Sequence, residues 1–251
     1  MRSVTESAAA AEAPLWTHPE WAERFPWLIQ GITGSGAADR PFDMALFGQG
    51  KPGDVMERWW TLGRAAGADR IVHGHQVHRT AVRVHDEGAP GLHISPATDG
   101  HITRVAGTML AVSVADCVPI SLVHPELRAV GLLHAGWRGV ADGILEHGLA
   151  MLSERLVARP GDLHLHLGPA ICGRCYEVGP EVHRGLGLSV PDAPEPVDLR
   201  AVAAERAVRA GVSVDRITTS THCTRCGDSP FFSHRGGRAE RQVAVLGIRA
   251  A

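Results

Sequence analysis

Residues 108–150 read TMLAVSVADCVPISLVHPELRAVGLLHAGWRGVADGILEHGLA, and the rest of the chain is read outward from them. Residues 108–114 are an uncharged, largely apolar run. Asp116 and Cys117 interrupt it before a second run at 118–123. His124-Pro125-Glu126 is a turn, and a third run at 129–133 ends in His134-Ala135-Gly136-Trp137-Arg138-Gly139. Short β-branched runs bounded by polar turns are the pattern of strands covered on both faces. Trp137, Val140, Ile144, Leu145, Leu149 and Leu152 then recur at helical spacing, which predicts one amphipathic helix. Cys117 and His134 therefore fall at the ends of neighbouring strands, where an α/β scaffold readily builds a site.

The same signals recur on either side. Residues 28–33 read as a strand, 42–47 as a second short strand, and 53–66 as a helix stopped by Gly67. Residues 70–73 and 80–85 read as strands around a loop that carries His75, Gln76 and His78. Further on, 163–167, 212–217 and 242–248 read as strands and 198–210 as a helix. The aromatic segment 15–27 is a packed irregular stretch or a short helix, and Gly34-Ser35-Gly36 is a turn without the lysine of a phosphate loop. Strands and helices without strict alternation predict an α/β fold, a mixed α+β sandwich with a mixed sheet flanked by helices. Residues 1–14 are rich in Ala, Glu and Ser, lack the features of a signal peptide, and are expected to form a disordered tail. Residues 15–251 show no linker and are expected to form a single domain.

Composition removes several classes of function. With 25 Lys+Arg against 27 Asp+Glu and a net charge of −2, nothing calls for nucleic acid or an anionic membrane. No apolar run approaches the roughly 20 residues of a membrane span. A soluble cytoplasmic protein is expected, monomer or homodimer. Five cysteines without a secretory signal argue against a disulfide framework.

Cys117, His134 and one of His73, His75 and His78 form the first candidate group. Two imidazoles and a thiolate suit Zn²⁺ and leave a fourth position open, the pattern of catalytic zinc. The same residues could form a Cys–His nucleophile pair, or be a small core residue and unremarkable histidines. Cys172 with Cys175, and Cys223 with Cys226, are two C-x-x-C pairs. Two such pairs could make a structural four-cysteine zinc ribbon, but the chain between them is far longer than the roughly 15–20 residues usual there, so ordinary loop thiols are the favoured reading of the two. Arg138, Arg235 and Arg238 are candidates for gripping an anion. Asp116 could act as acid or base, and the reading favours a role in orienting a metal ligand.

In order along the chain stand Gln76-Val77-His78, Asp99-Gly100, Ala115-Asp116-Cys117-Val118-Pro119, His134-Ala135-Gly136-Trp137-Arg138-Gly139, Gly168-Pro169-Ala170-Ile171 through Cys175-Tyr176-Glu177-Val178, Cys223-Thr224 and Phe232-Ser233-His234-Arg235. This set resembles the YfiH-type laccase-domain family, also described as multicopper polyphenol oxidoreductase-like, as purine nucleoside phosphorylases and as peptidoglycan editing factors. The resemblance implies His78, Cys117 and His134 as ligands of a zinc ion, with copper in some descriptions. It also implies phosphorolysis of adenosine, inosine, guanosine and methylthioadenosine by inorganic phosphate, with adenosine deamination as a second activity. His78, Cys117, His134 and Asp116 would be catalytic, and Arg138 and Arg235 would bind substrate. Three ligands cannot assemble the multi-copper cluster of a true laccase. The other family names leave open a copper protein acting on polyphenols, or a cysteine or metal hydrolase editing a cytoplasmic peptidoglycan precursor. In that hydrolase Cys117 would be nucleophile, His134 base and His78 orienter.

Overall fold

The computed structural model describes residues 1–250. Fourteen strands form two stacked seven-stranded mixed sheets. The first sheet runs Arg2–Val4, Ile217–Ser220, His164–Leu167, Val118–His124, Ala129–Ala135, Gly100–Thr103, Val82–His85. The second runs Ser7–Ala8, Leu15–Thr17, Leu28–Thr33, Gln242–Ile248, Thr108–Val114, Arg70–Gly74, Gly91–Ser95. The expected mixed α/β sandwich is borne out, with its strands divided between two mixed sheets where one was expected. The reason lies in the continuous apolar strands, which need cover on both faces.

That cover is visible by alternation. Leu110, Val112 and Val114 of one sheet meet Val123, Val130 and Leu132 of the other in a shared core. Met109 and Ala111 face outward, under the helix Pro52–Ala66 with Val55, Trp59 and Leu62. Leu133 and Ala135 face outward on the other side, under the helices Ile144–Leu156 and Leu199–Arg209. The result is a helix–sheet–sheet–helix sandwich, in which Asp198 caps the last of these helices by accepting from the Arg200 and Ala201 amides.

The central helix is two helices, Trp137–Asp142 and Ile144–Leu156, because Gly143 between them is left-handed at φ 89°. The apolar spacing carries across this break, so sequence periodicity alone does not reveal it. Residues 42–47 form no strand. Asp43 folds the segment back by accepting from the Ala45 and Arg241 amides, and Trp59 donates its indole N–H to the Met44 carbonyl. Residues 214–216 are a 3₁₀ turn, and the strand expected at 212–217 begins only at Ile217.

The N-terminal residues are no disordered tail. Arg2–Val4 pairs parallel with Thr218–Ser220, Ser7 and Ala8 pair with Thr17 and Trp16, and Glu6 between them is buried. Its carboxylate accepts from His166 Nε2 and Ser220 Oγ, both at 2.7 Å. A buried charge with two partners holds a polar segment that composition alone marks as frayed. Among the described residues no helix is long and apolar enough to cross a membrane.

Candidate metal centre

His134 is the next-to-last residue of the strand Ala129–Ala135. Alternation with Leu133 and Ala135 turns its ring toward the opposite sheet, at the end of the shared core. Cys117 lies in the tight connection between Thr108–Val114, of the second sheet, and Val118–His124, of the first. His78 stands on the loop after Arg70–Gly74, in the left-handed conformation at φ 58°. One ligand atom of each, the two ring nitrogens and the sulfur, lie within 4.8 Å of one another. Of the three clustered histidines the structure brings His78 to this group. His73 is buried against the Ala111 carbonyl, and His75 packs against Phe47.

Asp99 holds the group together. Its buried carboxylate accepts the backbone N–H groups of Val77, His78 and Arg79 at 3.0, 2.9 and 3.1 Å, and so shapes the strained loop that carries His78. The same carboxylate lies 2.9 Å from His134 Nδ1. A proton on Nδ1 leaves Nε2 free to face a metal, the usual way an outer carboxylate fixes the tautomer of a ligand. Burial disfavours charge on both Cys117 and His134, but their mutual attraction overrides it. With His78 adding a hydrogen bond, the Cys117 thiol is drawn down to about 6, and the His134 imidazolium is held up to about 9 with help from Asp99. A thiolate is therefore ready at neutral pH, as a soft-metal ligand or a nucleophile requires.

The donor set fits an ion, and so does the space around it. A Cβ on Gly136 would sit 3.1 Å from Cys117 Sγ and 3.2 Å from His78 Cδ2, so only glycine leaves those two atoms their positions. The Gly136→Ala protein is expected to lose metal affinity on the order of tenfold, as when the groups orienting ligands are disturbed. The backbone of Gly136 at φ −75° tolerates alanine, so thermal unfolding of the metal-free protein should change little. Unchanged affinity in a chelator competition would show that the close approach is immaterial.

Asp116, beside Cys117, bonds away from the candidate ligands. One of its carboxylate oxygens accepts from Thr224 Oγ1 at 2.6 Å, and the other from the Arg235 amide at 2.7 Å. It ties two loops to the strand connection, while the carboxylate bonded to the His134 ring is Asp99. The sequence offers Asp99-Gly100 only as a family motif and no role for Asp99, because its partners are backbone amides 20 to 22 positions away and the ring of His134, 35 positions away. The hydrolase constellation is altered likewise, since the group that orients His134 is Asp99 and not His78.

Two clefts meet at His78 and Cys117. The larger, about 420 Å³, is lined by Phe47, His75, Gln76, His134, His234 and Arg241. The smaller, about 300 Å³, is lined by Trp137, Arg138, Ile171, Tyr176, His234 and Arg235. Arg138 lies over its neighbour Trp137 at 4.4 Å, and Arg235 over Tyr176 at 5.2 Å while donating to the Glu177 carbonyl. Arg138 and Arg235 both line the smaller cleft, whereas Arg238 pairs with Glu240. His234 borders both clefts and was not distinguishable from its neighbours by residue type.

Residues 34–249 match the family described as multi-copper polyphenol oxidoreductase laccase, and the chain belongs to that family. The purine nucleoside phosphorylase YlmD of Geobacillus stearothermophilus is 36% identical over 192 residues, covering 71% of this chain and 70% of the relative. An adenosine deaminase, RL5, from an unknown prokaryotic organism is 35% identical over 202 residues, covering 72% and 76%. The crystal structure of YlmD from Geobacillus stearothermophilus superposes with a TM-score of 0.89 at 28% identity, covering 98% of this chain and 99% of that one. The YfiH-like fold is therefore established for this chain, and the relatives' names support an enzyme acting on purine nucleosides.

Proposed function

We propose that this protein is a zinc-dependent purine nucleoside phosphorylase, acting on adenosine, inosine, guanosine and methylthioadenosine, with adenosine deamination as a second activity. The observation that carries the proposal is the junction itself: His78, Cys117 and His134 stand where a cleft with Arg138 and Arg235 meets a larger, partly aromatic one. A zinc ion held by those three residues would supply a Lewis acid and lower the pKa of an attacking water. Arg138 and Arg235 bind the phosphate through paired hydrogen bonds. A phosphate oxygen bonds to C1′ of the ribose as the bond from C1′ to the purine nitrogen breaks, and the base departs with the electron pair and takes up a proton. Phe47, 62% exposed at the edge of the larger cleft, offers the purine a face to stack on. Both reactants are abundant in the cytoplasm, and the protein is taken to act there without nucleic acid or membrane.

The test is zinc-loaded protein incubated with adenosine, with and without phosphate, and chromatography of the products. Adenine and ribose 1-phosphate appearing only with phosphate, and lost in His134→Ala, are expected. Arg235→Ala should raise the KM for phosphate at least about tenfold, the value of a lost charged hydrogen bond of roughly 1.5 kcal/mol or more. Inosine formed equally without phosphate would leave only the deaminase.

The paired thiolate and imidazolium favour one second reading. Cys117, His134 and Asp99 stand in the order nucleophile, base and orienter, which is the arrangement of a cysteine hydrolase acting on a cell-wall amide. Alkylation decides between them. A zinc-bound thiolate resists iodoacetamide until the metal is stripped, whereas a free nucleophile reacts at once.

A further inference from the structure

The two C-x-x-C pairs, separated by 47 residues, come together. Cys172 and Cys175 lie on the loop after His164–Leu167, and Cys223 and Cys226 on the loop after Ile217–Ser220. These two strands are parallel neighbours, so both loops leave the same end of the sheet. A bridge between Ala170 and Cys223 continues the pairing outward, with the Thr224 amide donating to the Ala170 carbonyl at 3.1 Å. All four sulfurs lie within 4.8 Å of one another. The expectation of ordinary loop thiols rested on sequence separation, which parallel strand pairing makes irrelevant.

We propose that Cys172, Cys175, Cys223 and Cys226 bind a second metal ion, a structural zinc held by four thiolates, which staples these two loops together. The geometry suits that ion. Zinc–sulfur bonds of about 2.3 Å in a tetrahedron place sulfurs about 3.8 Å apart. Cys172 and Cys226 stand 3.8 Å apart, far beyond the length of a disulfide, and all four residues are free and half-buried. The backbone already supports thiolate charge. Cys223 Sγ accepts N–H groups from Cys172, Arg225 and Cys226 at 3.3, 3.4 and 3.5 Å. The guanidinium of Arg225 spans the two loops, donating to the Cys175 carbonyl at 3.1 Å.

Four thiolates fill a zinc ion's coordination and leave no position for substrate, so this site is structural. It shares no ligand with the His78–Cys117–His134 group. Its consequence for that group is mechanical. Tyr176 follows Cys175 and carries Arg235 over its ring, and Thr224 follows Cys223 and holds Asp116. One wall of the smaller cleft therefore hangs on the staple.

The experiment is metal analysis of the full chain, purified from zinc-supplemented cells, as wild type, His134→Ala, and Cys175→Ser/Cys226→Ser. Two zinc ions are expected in the wild type and one in His134→Ala. Cobalt(II) loaded into His134→Ala should give the strong sulfur-to-metal charge-transfer band and the visible bands of a tetrahedral tetrathiolate. Cys175→Ser/Cys226→Ser should lose one ion, and combining it with His134→Ala should abolish the cobalt spectrum. Should the double-serine protein fail to fold, the zinc content and cobalt spectrum of His134→Ala decide alone. His134→Ala that holds no metal and shows no such spectrum overturns the proposal. So does mass spectrometry that finds Cys172 joined to Cys226 in a disulfide.

Discussion

Asp99→Asn is expected to weaken metal binding ten- to a hundredfold and to cost about 3 kcal/mol of stability, although it changes no ligand. The two carboxylate oxygens accept from four groups, the amides of residues 77, 78 and 79 and the ring of His134. An asparagine has one oxygen. Placed toward Val77 and Arg79, that oxygen leaves an NH₂ pointing at the His78 amide and at His134 Nδ1. His134 can accept only by moving its proton to Nε2, the nitrogen that faces the metal. Placed the other way, the NH₂ meets two N–H groups head-on. Either arrangement strands a buried donor, which carries its full desolvation penalty. Zinc competition with a chromophoric chelator and urea unfolding would read the two effects. Wild-type affinity in Asp99→Asn would remove this carboxylate from the metal centre.

Acid is the second expected weakness. Burial, the leading cause in each case, drives the pKa of His73, His85 and His164 down to about 4 and of His18 to about 3, and lowers that of His101 well below its usual range. In the unfolded chain all five return to about 6.5. Below that value the unfolded chain binds more protons than the folded one, so stability is whole above pH 6.5 and drains away as the pH falls toward 4. For His73 the loss between pH 7 and pH 5 comes to about 2 kcal/mol, and the equally buried His101 adds to it in the same direction. That is an appreciable part of the 5–15 kcal/mol typical of a folded domain. The other three act in the same direction, and the Glu6 carboxylate, held below its ordinary pKa despite burial, adds its share once pH drops through the carboxylate range. Thermal unfolding of the metal-free protein from pH 7.5 to pH 4.5 would measure it. His101→Gln should flatten the slope by up to one proton, and a melting temperature independent of pH across this window would refute the account.

How far these features were legible in advance depends on where their partners lie. The strands 108–114 and 242–248 were readable because each residue's burial follows from its own apolar side chain. Arg2–Val4 and Gly100–Thr103 were not, since their backbones are held by pairing with neighbouring strands and not marked by an apolar pattern of their own. Cys117 and His134 stand out as candidate ligands by residue type and position at strand ends, but the choice of His78 among three clustered histidines rests on the family resemblance alone. Asp99 and the four-cysteine cluster escaped for one reason. Each is defined by loops that meet only after the sheets have formed, and a linear reading has no measure of that meeting.

The N-terminal pairing bears on how the protein is cut for laboratory use. The stretch that matches the family starts at residue 34, and a designer trimming to that boundary would discard the strands at 2–4, 7–8, 15–17 and 28–33. The strand Gln242–Ile248 would then lose its Leu28–Thr33 neighbour, and Ile217–Ser220 its Arg2–Val4 neighbour, leaving a bare hydrogen-bonding edge in both sheets. Trp21, Phe25, Leu28 and Ile32 would leave the shared core with them. Such a fragment would be sticky and prone to precipitate, so the first 33 residues belong in any expressed form, and a purification tag is better attached through a spacer ahead of Met1.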